Sequence, residues 1–207
     1  MPSRWTYLVL AASAVFLGVG LIVARAPRAE PPLPVYGHVP VFQLVDEHGA
    51  PFGTGAMLGH VTVVDFVYTR CTASCPRLTA QMAALQSRLE EAKSSVRLVS
   101  FSVDPEHDTP EVLAAYAARF HADLARWSFL TGPVDAVQKA VVSGFKIAAS
   151  KKAASKKASG ANDYEVIHGD WFILVDPRGD IRGYFTASGP GDLAVLMKAI
   201  VQLESHG

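Results

Sequence analysis

The sequence predicts an α/β domain built on a mixed sheet, preceded by an apolar N-terminal span. Three observations carry this. Short β-branched and aromatic runs alternate with longer stretches that repeat apolar residues at three- and four-residue spacing, the pattern of strands joined through helices. Two late strand-like runs flank Asp176-Pro177-Arg178-Gly179-Asp180, a hairpin signal, so the sheet contains an antiparallel pair. Residues 5–24 contain no charged side chain, which is about the ~20 residues needed to cross a hydrocarbon core.

The elements follow in order. Arg4 precedes the apolar span, Arg25 and Arg28 follow it, and Trp5 and Tyr7 sit where interfacial aromatics stand. The run is longer than a signal-peptide core, so residues 1–25 read as an uncleaved anchor. A cleaved signal peptide, ending near Ala24-Arg25-Ala26, is the alternative. Residues 26–40 hold five prolines, a semi-rigid spacer, and residues 26–38 read as a stalk. The domain is then residues 39–207. Val39–Val45 reads as a strand and Asp46-Glu47-His48-Gly49 as a turn. Val61–Tyr68 (VTVVDFVY) reads as a strand buried on both faces. A helix starts at Pro76, with Leu78, Met82, Leu85 and Leu89 on one face. Val96–Val103 is the next strand. Thr109-Pro110-Glu111 opens a helix with a cap, a proline and an acid, carrying Val112, Leu113, Tyr116 and Phe120. Trp127–Leu130 is a short strand and Pro133–Val142 a third helix. Trp171–Val175 and Ile181–Phe185 form the late hairpin, and Asp192–Leu203 is the closing helix. Ser150–Gly160 (SKKAASKKASG) has four lysines and no large apolar residue. It reads as a mobile, solvated loop, with a docking patch for an acidic partner or anionic lipid as the sharper alternative.

Composition excludes some function classes. Half of the 207 residues are apolar, enough for one core. Nineteen basic residues balance nineteen acidic ones, without the basic excess of a nucleic-acid binder. Two cysteines cannot staple a small secreted scaffold.

Those two cysteines are the chemical question. Cys71 and Cys75 stand in YTRCTASCP, between a predicted buried strand and a predicted helix. Cys75 precedes Pro76, which pushes it out of the α region and makes it the expected helix N-cap. The helix N-terminus and Arg70 favour thiolates. Three readings compete: a structural disulfide, an inert buried pair, and a reactive dithiol or metal site. Closing so small a loop adds little stability, and a strand-to-helix loop is a poor place to bury thiols. Two thiolates suit a soft ion such as Cu(I), and a stable or Cu(II) site calls for an imidazole as well. Of the histidines at 38, 48, 60, 107, 121, 168 and 206, positions 38, 48, 107, 121 and 206 read as stalk, turn, loop, helix-end and tail residues. His168 stands just before the strand WFILV; spacing alone leaves its role open.

The ordered set VDFVYTRCTASCP, FSVDPEHDTPEVLAAYAARF, FLTG and IHGDWFILVDPRGDIRGYF resembles the Sco/SenC proteins over roughly residues 40–204. The resemblance implies a thioredoxin-like mixed sheet flanked by helices, with a single N-terminal transmembrane helix. It implies copper, Cu(I) or Cu(II), on Cys71, Cys75 and His168. It implies a metallochaperone that takes copper from a donor protein and passes it to the dicopper centre of a cytochrome c oxidase subunit. The alternative role is a thiol–disulfide reductase, in which Cys71 attacks and Cys75 resolves, keeping the partner's copper-site cysteines reduced. Asp104 and Asp108 match the family's acidic motif, and their expected role is capping and loop structure. The short lead before the span points to a bacterial inner-membrane protein with its domain in the periplasm, held through residues 5–24 and without a nucleic-acid partner.

Overall fold

The computed structural model describes residue 5 and residues 31–72, 74–145, 149–151, 164–166, 171–187, 189 and 191–206. The chain divides into two units, Met1–Pro32 and Leu33–Gly207. Apart from Trp5, the predicted anchor lies outside the described residues, and among the described residues no helix is long and apolar enough to cross a membrane.

In the second unit the strands are β1 (Gly37–His38), β2 (Gln43–Val45), β3 (Pro51–Gly53), β4 (Thr62–Val67), β5 (Arg97–Ser102), β6 (Trp127–Leu130), β7 (Ala149–Lys151), β8 (Tyr164–Val166), β9 (Trp171–Val175) and β10 (Asp180–Thr186). The helices are α1 (Ser74–Glu91), α2 (Pro110–Arg119), α3 (Val134–Gln138) and α4 (Asp192–His206). Six strands make the main sheet in the order β1-β10-β9-β4-β5-β6. β4, β5 and β6 are parallel; β9 runs antiparallel to β4, and β10 to β9. The predicted mixed sheet is therefore present, with the late hairpin supplying the antiparallel half.

Both faces of the sheet are covered, which is why β4 is buried at every position. On one face Val63 and Val67 pack with Leu78, Met82, Leu85 and Leu89 of α1, Leu113 of α2, and Leu193 and Leu196 of α4. On the other, Val64 and Phe66 pack with Phe42, Leu44, Met57, Val137 and Phe145. The predicted apolar stripe of α1 is thus the stripe that is buried. Thr109 caps α2 as expected, accepting from Val112 N at 3.4 Å. Val112, one of the apolar residues this helix carries, is 38% exposed.

Of the predicted strand Val39–Val45 only Gln43–Val45 pairs, as β2; β1, Gly37–His38, lies before it, at the end of the predicted stalk. Pro40 has no N–H to continue a ladder. Instead the Thr54 hydroxyl donates to Pro40 O at 2.8 Å and accepts from Phe42 N at 2.9 Å, bridging the gap. β3, which pairs with β2, begins at a proline and ends at a glycine, so composition gave it no strand signal. The third helix is a short α3 that widens into a π turn over Lys139–Gly144. The predicted lysine-rich loop begins inside β7, which pairs with β8; residues 152–163 lie outside the described residues.

Candidate metal centre

β4 delivers the chain to Tyr68 at the carboxyl end of the parallel strands, and a tight turn follows, closed by Cys71 N donating to Tyr68 O at 3.2 Å. α1 then starts at Ser74. Cys75 is therefore inside the first helical turn and is not the N-cap that Pro76 implied. The local turn at Cys71 already carries the chain into helical geometry two residues before the proline. The Cys75 N–H donates to Cys71 Sγ at 3.4 Å, so the helix start directs an amide at the other cysteine's sulfur. Tyr68 touches both sulfurs: its hydroxyl hydrogen-bonds that of Cys71 and its backbone N–H that of Cys75. The Cys71 contact, burial and the neighbouring negative groups push the Tyr68 phenol up to about 12.

Neither cysteine is in a disulfide. Both are buried, Cys71 at 8% exposure and Cys75 at 2%, against the expectation that this loop would leave thiols accessible. Cys71 remains the more exposed. The expectation of ready ionisation also fails at Cys75, whose thiol is pushed up to about 12, chiefly by burial. The Tyr68 N–H opposes that rise but is outweighed, with Cys71 and Asp65 adding to it. Desolvation thus overrides the helix-terminus effect, and a cation in the proton's place favours the deprotonated form of Cys75.

The loop before Cys71 is anchored by the acids of the SVDPEHDTP stretch. Asp108 is fully buried and accepts from Thr69 N at 3.2 and 3.3 Å, from Thr69 Oγ1 at 2.6 Å, and from Ser102 Oγ at 2.6 Å. Asp104 accepts from Arg70 Nε at 3.0 Å and Nη2 at 2.7 Å, and its other oxygen meets His107 Nδ1 at 2.9 Å. The two residues preceding Cys71 are each held by one aspartate, which is the loop role expected of both acids. Their energetic weights differ. Asp108→Ala strands three donors around a buried site and is expected to lower unfolding stability by about 3 kcal/mol. Asp104→Ala breaks a pair whose Arg70 partner is 59% exposed and is expected to cost under about 1 kcal/mol. Denaturant unfolding of the two variants checks the ordering; equal losses contradict it.

Beneath the thiols lies a polar layer that the sequence reading did not identify. The Thr79 hydroxyl donates to Cys75 O at 2.9 Å and meets the Tyr116 hydroxyl at 2.7 Å. Asp65, in the middle of β4, is fully buried, and neither carboxylate oxygen has a hydrogen-bond partner among the described residues. Burial pushes its pKa up to about 7; the nearby Ser100 hydroxyl moderates the rise without reaching hydrogen-bond geometry. The available signal was a lone acid in an otherwise apolar strand.

Among the described residues no group of three or more His, Cys, Asp or Glu side chains is assembled as a metal cage. Cys71 and Cys75 are brought together; His168 lies outside the described residues. Of the other histidines, His38 pairs with Asp180 at 3.1 Å, His48 stands 3.4 Å from Glu47, His107 is on Asp104, and His121 follows α2 with φ of 54°. Trp171, three residues beyond His168, opens β9; because β9 runs antiparallel to β4, it marks the cysteine end of the sheet.

The SCO1/SenC family model matches residues 34–202. The chain belongs to the SCO1/SenC family. This Sco/SenC chain is 35% identical over 148 residues to the SCO1 protein homolog of Bacillus subtilis (strain 168), covering 72% of this chain and 73% of that protein. It is 30% identical over 175 residues to a Stutzerimonas stutzeri protein that carries a provisional copper-binding name, covering 83% and 79% of the two. Among solved structures it is similar to BsSco, described as having a disulfide switch and as a member of the Sco family of cytochrome c oxidase assembly proteins. That match has a TM-score of 0.70 at 28% identity, covering 86% of this chain and 100% of the other. The mixed sheet of this Sco/SenC chain, flanked by helices on both faces, is the architecture it shares with that solved structure.

Proposed function

We propose that this Sco/SenC protein is a copper carrier for assembly of the dicopper centre of cytochrome c oxidase, with copper on Cys71, Cys75 and His168. The observation that carries the reading is the pair of unbonded sulfurs at one helix start, both in contact with Tyr68. Two thiolates in a nearly dry pocket suit a soft monovalent ion: copper replaces two protons, and the low dielectric strengthens its hold. The imidazole of His168 supplies the harder donor that retains Cu(II). The copper-binding name of one relative and the oxidase-assembly role of another support the same reading. Residues 5–24 hold the protein in a bacterial inner membrane, with residues 39–207 on the periplasmic side. A donor protein supplies the copper, and an oxidase subunit receives it by ligand exchange.

One observation favours a second role. Cys71 is the more exposed sulfur and Cys75 the more buried, the arrangement of an attacking and a resolving thiol. The Cys71 thiolate attacks a partner disulfide, forming a mixed disulfide and releasing one partner thiolate. Cys75 then attacks Cys71 and releases the second, leaving a Cys71–Cys75 disulfide and a partner reduced by two electrons. The disulfide switch of BsSco supports such cycling here.

One mixing experiment separates the roles. Copper-loaded, reduced full-length protein is combined with the copper-free acceptor subunit, and the two are separated. The carrier role predicts copper on the acceptor. Acceptor thiols restored without copper gained would instead assign the protein to the reductase role.

A further inference from the structure

At the end of the sheet remote from the dithiol, the starts of the three parallel strands surround a small cavity. Thr62 begins β4, Arg97 begins β5 directly across the ladder from it, and Arg126 immediately precedes β6. The cavity has a volume of about 20 Å³, room for a water-sized group. Phe52 and Met57 form an apolar wall; Thr62, Arg97, Arg126 and Ser128 supply the polar side. Among the described residues no carboxylate lines it.

Its polar groups are unsatisfied in a consistent way. Thr62 is fully buried, yet its hydroxyl has no hydrogen-bond partner among the described residues. Arg126 Nη1 is buried and equally unpartnered. Among the described residues the acid paired with Arg126 is Asp123, which meets the other side of the guanidinium, 3.6 Å from Nε. Arg97 is exposed and makes no ion pair among the described residues. Buried donors left unpaired are costly, and native proteins satisfy them. A water would accept from one or two of these donors and leave the Arg97 guanidinium without a counter-charge, and Arg126 with Asp123 on its Nε side alone. An oxyanion offers acceptors to all of them and supplies that charge, with the charge-assisted geometry that guanidinium favours.

We propose that this cavity is a binding site for a small oxyanion of the phosphate or sulfate class, held by Arg126, Arg97 and the Thr62 hydroxyl. One oxygen enters beside Thr62 and Arg126 Nη1, and the rest of the anion faces solvent under Arg97. The site is independent of copper, and its occupancy ties together the starts of β4, β5 and β6.

The test titrates sulfate, and separately inorganic phosphate, into the full-length reduced protein in detergent. Sodium chloride holds the ionic strength constant, and melting temperature and binding heat are read. A saturable rise in melting temperature is expected for wild type. Arg126→Gln loses a charged hydrogen bond and is expected to bind about tenfold more weakly or worse. Arg97→Gln, at an exposed position that cannot threaten the fold, is expected to weaken binding several-fold. Arg88→Gln, which removes one positive charge from α1, leaves binding unchanged. A response that never saturates, or one equal in wild type, Arg97→Gln and Arg126→Gln, overturns the proposal and leaves a water-filled cavity.

Discussion

Replacing Cys71 and Cys75 together by alanine removes copper binding from the reduced protein, the largest functional effect expected of any substitution here. Cys71 and Cys75 are the two cysteines of the chain, and an imidazole alone is a poor ligand for Cu(I). Each single replacement is expected to be nearly as damaging. With Cys71 gone, Cys75 keeps its proton, because burial holds its thiol near 12 and one remaining donor cannot offset that. With Cys75 gone, Cys71 loses its partner and the amide that points at it belongs to an alanine. The fold is not the casualty: removing one buried thiol costs roughly 1–2 kcal/mol, well within a domain's stability. Copper per chain, measured beside a circular-dichroism melt, checks this. Wild-type stoichiometry in the double variant would show that the dithiol is not the metal site.

The second large effect concerns Asp65 and pH. Its folded pKa is about 7 against an ordinary 3.8, so the native state binds a proton that the unfolded chain releases. For an acid raised in this way, stability is fully present below pH 4 and is lost as pH rises towards 7. The full penalty at alkaline pH is on the order of 4 kcal/mol. Asp65→Asn removes the ionisation while leaving a polar group of the same shape. Its stability profile is therefore expected to be flatter than wild type by about 2–3 kcal/mol between pH 5 and pH 8. It is also expected to ease deprotonation of Cys75, since the Asp65 charge is one of the causes holding that thiol up. Denaturant unfolding at the two pH values decides; parallel profiles would mean that Asp65 is ionised at no cost.

Much of this architecture is legible in the sequence because single physical rules govern it. Val61–Tyr68 is apolar on both faces and becomes the central strand; Thr109-Pro110 caps a helix whatever surrounds it; Asp176-Pro177-Arg178-Gly179-Asp180 closes a hairpin with Gly179 at φ of 87°. Misreadings arise where tertiary contacts decide. Thr54 lies fourteen residues from the Pro40 carbonyl it satisfies, so the bridge that spans the gap between β1 and β2 has no local signal. Cys71 and Cys75 are legible as a pair from spacing, but their burial is not, because residues of α1, β4 and the turn together exclude water. Asp108 reads as a cap from its motif; that it holds the residue two before Cys71 emerges only when the β5–α2 loop folds beside the β4–α1 turn. Asp65 is visible as an oddity in its strand, without the depth that gives it a raised pKa.

The deciding measurement is copper binding by the reduced full-length protein, wild type beside His168→Ala, reading copper per chain and the Cu(II)–thiolate absorption. Three-ligand capture predicts about one copper per chain with a strong thiolate band in wild type, and loss of the Cu(II) band in His168→Ala. Equal, poor binding by both proteins, with Cys71 and Cys75 still cycling against a dithiol reductant, would contradict it and leave a thiol–disulfide reductase.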